Sequence, residues 1–302
     1  MGSKTVKRGH FMKTLILYNP LSGNGGGEAR ANKLKATYAE QGEVSVIDIT
    51  TVSDCADLLG ELCEDDVAII CGGDGTLCRL ANCVDASSIR CELLYSAVGT
   101  GNDFLRDLDK TVDDAPFSIK KYLGDLPVVT VNGNSYKFLN GIGFGIDGYC
   151  CEEGDRIKSE KPDEAVNYTS VAIGGVLGKF KPKSAKVTVD GVEYSYKRVW
   201  IAATMHGRFY GGGMMCAPAQ DRLCSDGENS LVVWHGTGAL RTLINFPSIF
   251  KGEHVKKTKM IAVHTGHEIK VEFDAPCALQ IDGETVTGVT EYSVSSKTLA
   301  KV

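Results

Sequence analysis

"IICGGDGTLCRL", residues 69–80, passes from an apolar run into two glycines, an aspartate, a third glycine and a threonine. A tight turn needs one glycine at positive φ. Three glycines around a lone carboxylate, Asp74, indicate that something approaches this backbone closely. The residues just before it, "VAIIC" (67–71), read as a buried strand, and a helix follows from about Leu77 to Val84. The alternation repeats on both sides. "TLILY" (14–18), "VSVIDI" (44–49) and "LLYSAV" (93–98) read as strands. Ala31, Leu34 and Tyr38 recur at helical spacing after the first strand, with Gly42 as a stop, and "SDCADLLGELCE" (53–64) is a helix capped by Ser53 or Asp54. Strands alternating with helices argue for a parallel α/β sheet.

The texture changes near residue 125. "VVTVNGNSYKFLN" is a strand, an Asn-Gly turn and a strand, a β-hairpin. Alternating segments continue through "AKVTVDGVEYSYK", "RVWIAATM", "SLVVWH", "KMIAVHT", "EIKVEF", "CALQID" and "EYSVS", with helical stretches near 165–179 and 239–251. The expected organisation is an α/β domain over 12–125 and an antiparallel β-rich domain over 126–289. A last strand near 290–302 is free to return to the first domain. Residues 1–11 read as an added leader, with Met12 as the native start.

The 302 residues carry a net charge of −5 without aromatic-basic interleaving, so nucleic acid is not an expected partner. Residues 12–125 hold 10 basic and 19 acidic side chains, hence −9, and residues 126–302 hold 20 and 19, hence +1. Lys179, Lys181, Lys183 and Lys186 fall in one stretch without an acid, and Lys251, Lys256, Lys257 and Lys259 fall in a second stretch that includes Glu253. Both read as solvated surface or as weak attraction to anionic lipid. No apolar run nears the roughly 20 residues that span a bilayer, and no signal peptide is visible. Eleven cysteines without a Cys-x-x-Cys pair fit reduced thiols in a cytoplasmic protein rather than a disulfide or zinc framework. His264 and His267 lack nearby partners for a metal.

Three loops follow strand ends: Asn19–Gly27, Gly72–Thr76 and Gly99–Asp103. In an open parallel sheet they converge on one edge, where freed N–H groups and helix N-termini favour phosphate. Nucleotide binding is therefore expected. A Walker A loop is absent, since "GGVLGKF" ends in phenylalanine. Gly143, Gly145 and Gly148 make a formal Gly-x-Gly-x-x-Gly. It follows a hairpin, no regular helix is expected after it, and a dinucleotide site is rejected there.

"NPLSGNGG", "GGDGTL", "GTGNDF", "YGGGMMCAPAQ", "SDG" and "LQIDGE" together resemble the diacylglycerol kinase catalytic-domain family of soluble bacterial lipid kinases. Sphingosine kinases and, more distantly, NAD kinases look related. The resemblance runs in order over nearly the whole chain from residue 13. It implies a phosphofructokinase-like α/β nucleotide-binding domain followed by an antiparallel β-sandwich domain. It further implies ATP and Mg²⁺, a lipid substrate met at the membrane surface by a cytoplasmic enzyme that visits it transiently, and leaves a homodimer open. Carried over by motif, Asn19, Pro20, Leu21, Ser22 and Gly23 would contact ATP, as would Gly72, Gly73, Asp74, Gly75 and Thr76. Thr100, Asn102 and Asp103 would join them, with Thr50 or Thr51 as a further contact. Asp74 would orient the phosphates directly or through Mg²⁺. Where the family usually shows Asn-Glu, this chain has Cys78 and Arg79, which puts the metal or the preferred nucleotide in question. The loop "DRLCSDGENSL" resembles a structural Mg²⁺ site, with Asp226 acting beside backbone oxygens near Leu223 and Glu228.

On the residues alone, Asp282-Gly283 is an ordinary hairpin turn, as is Asp190-Gly191. The resemblance makes "DGE" catalytic instead, with Glu284 as proton acceptor and Asp282 orienting it or contacting the metal. The expected activity is ATP-dependent phosphorylation of a lipid hydroxyl, most simply that of diacylglycerol. The alternatives are an NAD kinase-like phosphotransferase and a non-catalytic nucleotide-binding protein.

Overall fold

The computed structural model describes residues 12–99, 101–161 and 166–296. In chain order the first elements are β1 (Lys13–Tyr18), α1 (Gly27–Tyr38), β2 (Glu43–Asp48), α2 (Cys55–Gly60), β3 (Val67–Gly72), α3 (Asp74–Cys83) and β4 (Glu92–Ala97). Then come α4 (Asp103–Asp107), β5 (Phe117–Ser118) and α5 (Lys120–Leu123). Residues 12–99 and 111–124 make one compact unit; 101–110 and 125–296 make the other.

The first unit is a five-stranded sheet in the order β2-β1-β3-β4-β5, parallel except for β5. Its central strands are covered on both faces: Ile16, Leu17, Ala68, Ile69, Ile70 and Cys71 are fully buried. That is why "VAIIC" is continuously apolar rather than alternating. The edge strand β2 is only partly buried. Asp54 is the cap of α2, its Oδ1 accepting from the backbone N–H of Ala56 at 2.7 Å and Asp57 at 3.1 Å.

The second unit contains β6 (Val128–Val131), β7 (Asn134–Lys137), β8 (Gly141–Gly145), α6 (Ile146–Glu160), α7 (Tyr168–Gly174) and a π-type turn over Gly175–Lys179. It continues with β9 (Lys183–Val189), β10 (Val192–Val199), β11 (Ile201–Met205), β12 (Asn229–Trp234) and α8 (Ala239–Asn245). A 3₁₀ turn over Phe246–Lys251 leads to β13 (Ile261–Gly266), β14 (Glu268–Ile281) and β15 (Glu284–Ser295). Every pairing among these strands is antiparallel, along the path β13-β12-β11-β8-β14-β15-β6-β7, with β9 joining β14 to β10. The long β14 pairs with β9 through its first half and with β8 through its last residues, and its register with β15 shifts between them. Side chains alternate between two cores. Leu231 and Val233 join Ile142, Phe144 and Val271 on one face, while Val232 and Trp234 join Ile146, Trp200 and Met260 on the other. The β6–β7 hairpin turns on Asn132-Gly133, both at positive φ, as its Asn-Gly sequence requires.

Two expectations meet a different arrangement, and the last strand, left open by the sequence, is placed in part. Residues 101–110, placed with the first domain from the sequence, pack in the second unit, where Asp103 and Asp107 have their partners. The last strand, through Ser295, pairs with β14 and β6 of the second unit; 297–302 lie outside the described residues. A regular helix does follow Gly145: α6, of 15 residues, starts at Ile146. The glycine pattern there serves helix-on-sheet packing. A Cβ at Gly148 would lie 1.9 Å from the Ala278 carbonyl oxygen, and one at Gly143 would lie 2.5 Å from the Asp147 Cβ. The strand before α6 is antiparallel, so this is not a βαβ unit. Among the described residues no helix is long and apolar enough to cross a membrane.

Asp147, in the first turn of α6, is buried and accepts a 2.5 Å hydrogen bond from the Tyr210 hydroxyl. Burial pushes its carboxyl up to about 7, with the Tyr210 bond pulling the other way. A folded value above the unfolded one means that the stability contributed by the proton is complete below roughly pH 4 and lost as pH rises through 7. Asp147→Asn keeps an acceptor for Tyr210 without the charge. It is therefore expected to melt above the wild type at pH 8 and close to it at pH 4; equal melting at pH 8 would remove the buried charge from this account.

Candidate functional site

The parallel order of β1, β3 and β4 sets their carboxyl ends along one edge of the first sheet. The turns after β1 and β3 meet there. Asn19 donates its backbone N–H to the Cys71 carbonyl at 2.9 Å and its side-chain amide to Thr76 Oγ1 at 3.0 Å. Ser22 Oγ lies 3.4 Å from the same Thr76 hydroxyl, and Asn19 Oδ1 accepts from Leu21 N–H at 3.0 Å. The residues from Asn19 to Gly23 and from Gly72 to Thr76 are thus one interlocked structure, as the sequence reading grouped them.

The glycines divide into two kinds. Gly23 stands at φ +59, and a Cβ there would lie 2.7 Å from Val98 Cγ1; one at Gly72 would lie 2.5 Å from Thr76 Oγ1. These two are required by loop-on-loop packing. A Cβ at Gly75 or Gly25 would meet nothing within 4 Å, so the open backbone lies there. Gly73 caps α3 and the half-buried Asp74 is its first residue, a position where a carboxylate is favoured by the helix dipole. Backbone N–H groups, the hydroxyls of Ser22 and Thr76, the Asn19 amide and one carboxylate form a donor set suited to phosphate oxygens and an accompanying cation. Cys78 lies one turn after Asp74 and its carbonyl accepts from Asn82 Nδ2 at 2.9 Å; Arg79 is exposed. Thr50 is exposed, tied to Asp48 Oδ1 through both its N–H (2.8 Å) and its hydroxyl (2.7 Å), and Thr51 bonds the Asp48 carbonyl. Thr100 lies outside the described residues.

Asn102 and Asp103 belong to the second unit and are buried. Asp103 Oδ2 accepts from the Gly212 N–H at 2.8 Å, and its other oxygen lies 3.7 Å from Arg106 Nη1. Burial raises its carboxyl to about 6, against the pull of the Gly212 N–H and Arg106.

The Asp282-Gly283 step is a two-residue hairpin turn between β14 and β15, with φ of +46 and +93. Both readings of "DGE" therefore describe the same turn. The Asp282 carboxylate accepts from the backbone N–H groups of Leu139, Asn140 (2.8 Å) and Gly141 (3.0 Å). It braces the entry to β8. Gly283 N–H is held by Gln280 Oε1 at 2.8 Å. Glu284, the first residue of β15, is exposed.

A buried network, missed by sequence reasoning, supports that brace. Arg222 donates through Nε to Asp107 Oδ2, through Nη1 to the Leu139 carbonyl (3.1 Å) and through Nη2 to Asn140 Oδ1 (3.1 Å). The Arg222 and Asp107 side chains are only 3% and 4% exposed, which makes this a desolvated ion pair. Arg208 Nε adds a second contact to Asp107 at 2.8 Å, and Phe104 lies under the Arg222 guanidinium. The neighbouring His206 is buried beside Arg222, and its imidazole is pushed down to about 3, chiefly by desolvation. Arg222 stands in "DRLCSDG", the loop read for its Asp226; nothing local marks it as the partner of a residue 115 positions away.

That loop is built of tight turns, Cys224 N–H to the Asp221 carbonyl and Gly227 N–H to that of Cys224. Asp226 is exposed, Leu223 N–H bonds Asp221 Oδ1, and the Glu228 carbonyl already accepts from Gln220 Nε2 at 2.9 Å. One carboxylate with partly used carbonyls is a thin donor set for a hard dication. Among the described residues no three His, Cys, Asp or Glu side chains gather to hold a metal.

A family model for the diacylglycerol kinase catalytic domain matches residues 13–127, and one for the YegS C-terminal NAD kinase beta sandwich-like domain matches residues 140–298. The second alone spans more than half of the chain. The chain belongs to the family defined by that YegS C-terminal domain, and it carries a diacylglycerol kinase catalytic domain ahead of it. It is 25% identical over 299 residues to a protein named diacylglycerol kinase from Mycobacterium tuberculosis, covering 92% of this chain and 94% of that one. Three solved structures from Bacillus anthracis strain Sterne align at TM-scores of 0.63 to 0.66 and 20% identity, over 95% to 99% of this chain and 94% to 96% of theirs. One of them is named a diacylglycerol kinase. The parallel α/β domain followed by a large antiparallel sheet is the fold this chain shares with those solved structures.

Proposed function

We propose that this chain transfers the γ-phosphoryl group of ATP to a lipid hydroxyl, with diacylglycerol or a related lipid as acceptor. One observation supports this reading most directly. The Gly72–Thr76 turn at the carboxyl edge of a parallel sheet and the Asp282-Gly283-Glu284 hairpin occur in one chain, each within the segment its family model matches. Neither feature alone would distinguish a kinase from a nucleotide-binding protein.

In this reading Asn19, Ser22, Thr76 and the open backbone around Gly75 would hold phosphate oxygens, and Asp74 would hold the accompanying cation. Mg²⁺, when bound, neutralises charge on the phosphates. The exposed Glu284 takes the proton from the attacking hydroxyl, while Asp282 keeps its hairpin in place. The Mycobacterium tuberculosis relative's name supports diacylglycerol as the first acceptor to try.

Release of ADP, measured against a panel of micellar lipids and NAD, is expected to rise with a lipid bearing a free hydroxyl. Asp74→Ala should remove that rise by on the order of 10²-fold or more. The fold should lose only about 0.3–1 kcal/mol, the worth of a carboxylate in a helix's first turn. Stimulation by NAD alone, or an Asp74→Ala variant that turns over like the wild type, would overturn the assignment.

A further inference from the structure

The helical face of the second unit carries an apolar surface that no part of the proposed reaction uses. Leu240 and Ile244 lie one turn apart on α8 and are 71% and 70% exposed. Leu177 is 64% exposed on the π-type turn, which packs against α8, and Ile173 is exposed one turn before it. Phe250, on the 3₁₀ turn that continues α8, is exposed as well. The same elements bury their opposite sides: Val176, Thr242 and Ile249 are 3%, 3% and 1% exposed. Each element thus shows one apolar face to the core and a second to solvent. Contiguous patches of that kind mark contact surfaces.

The charges around the patch are mainly basic, with the exposed Glu253 at its edge. Lys179, Lys181, Arg241 and Lys251 are exposed among these residues, and no Asp or Glu occurs over 166–189 or 229–252. Glu153 of α6, whose field reaches Lys179, is itself paired with Arg156 at 2.7 Å. We infer that this face docks on an anionic lipid surface, with the aliphatic side chains entering the acyl boundary and the four cations meeting headgroup phosphates. Apolar side chains in the centre with basic ones around them is the arrangement of interfacial helices. A second copy of the chain fits less well, because a two-fold interface would set the same cations against themselves. The inference extends the lipid kinase reading by naming where the chain meets the bilayer, but it rests on surface residues outside the proposed reaction site.

The test is binding of the full chain to vesicles, in the absence of nucleotide, so that it is independent of turnover. Wild type should sediment with vesicles of phosphatidylglycerol and phosphatidylcholine and retain part of that binding at high salt, the part due to the apolar contact. The double variant Leu240→Glu, Ile244→Glu should lower the bound-to-free ratio by about tenfold or more. Leu177→Glu, on the other element, should act in the same direction and covers the case in which the double variant misfolds. Folded variants that bind as the wild type would overturn the inference. So would a wild-type dimer that the double variant converts to monomer without any loss of vesicle binding. Loss of vesicle binding with micellar lipid still phosphorylated supports the docking face. Vesicle binding without phosphorylation of any lipid leaves the docking face standing and removes the kinase reading.

Discussion

Glu284→Gln is expected to lower lipid phosphorylation by roughly 10²–10⁴-fold while ATP affinity barely changes. An alcohol is a poor nucleophile, and its proton must leave as the bond to phosphorus forms. Two acids lie at the β14–β15 turn, and their surroundings differ. The Asp282 carboxylate is occupied by three backbone N–H groups, from Leu139, Asn140 and Gly141. A carboxylate committed to three backbone donors holds the hairpin against the entry to β8. Glu284 is exposed at the start of β15. Glutamine keeps the size and hydrogen bonding but cannot take the proton. Asp282→Asn should act differently, lowering the melting temperature because an amide cannot serve all three N–H groups. Steady-state rates and melting curves of the two variants separate these outcomes. Wild-type turnover in Glu284→Gln with full stability and no turnover in Asp282→Asn would reverse the roles.

Arg222→Ala should destabilise the protein by about 3–5 kcal/mol. The loss does not come from the strength of the ion pair, which desolvation largely offsets. It comes from what is left behind: Asp107 nine-tenths and more buried, one of its two arginines gone, and the Leu139 carbonyl and Asn140 Oδ1 without their donor. Denaturant unfolding measures this directly, and a loss below about 1 kcal/mol would mean that water replaces the guanidinium without cost. Because Asn140 also gives its N–H to Asp282, the same variant should loosen the Asp282-Gly283 hairpin. Turnover measured well below its melting point should then fall as well, and Arg222→Lys should restore stability only in part, since an ammonium cannot reproduce the planar fork.

The α/β unit was legible because its signals are local. "VAIIC" is continuously apolar since both faces of β3 are covered, and the glycine turn after it starts a helix at Asp74, three residues earlier than Leu77. The Asn132-Gly133 hairpin and the two helical stretches near 165–179 and 239–251 were equally readable. What escaped depends on distance along the chain. Residues 101–110 follow a strand of the first sheet, so continuity assigns them to it, yet Asp107 finds its arginines at 208 and 222. The Gly143, Gly145 and Gly148 pattern does not open a βαβ unit, as read from the sequence, but the helix after it was missed. A run containing Gly148, Cys150, Cys151 and Gly154 has weak helical propensity and is held helical by packing on β14. Asp282 shows the limit most plainly, since its three partners lie more than 140 residues away.

One reaction tests the central claim most directly. The chain is incubated with ATP labelled in the γ-phosphate, Mg²⁺, and both micellar diacylglycerol and NAD, and the label is then partitioned between organic and aqueous phases. The account predicts label in the organic phase as a phosphorylated lipid, dependent on Asp74 and Glu284. Label recovered only as a phosphorylated dinucleotide, or only as inorganic phosphate, would contradict it.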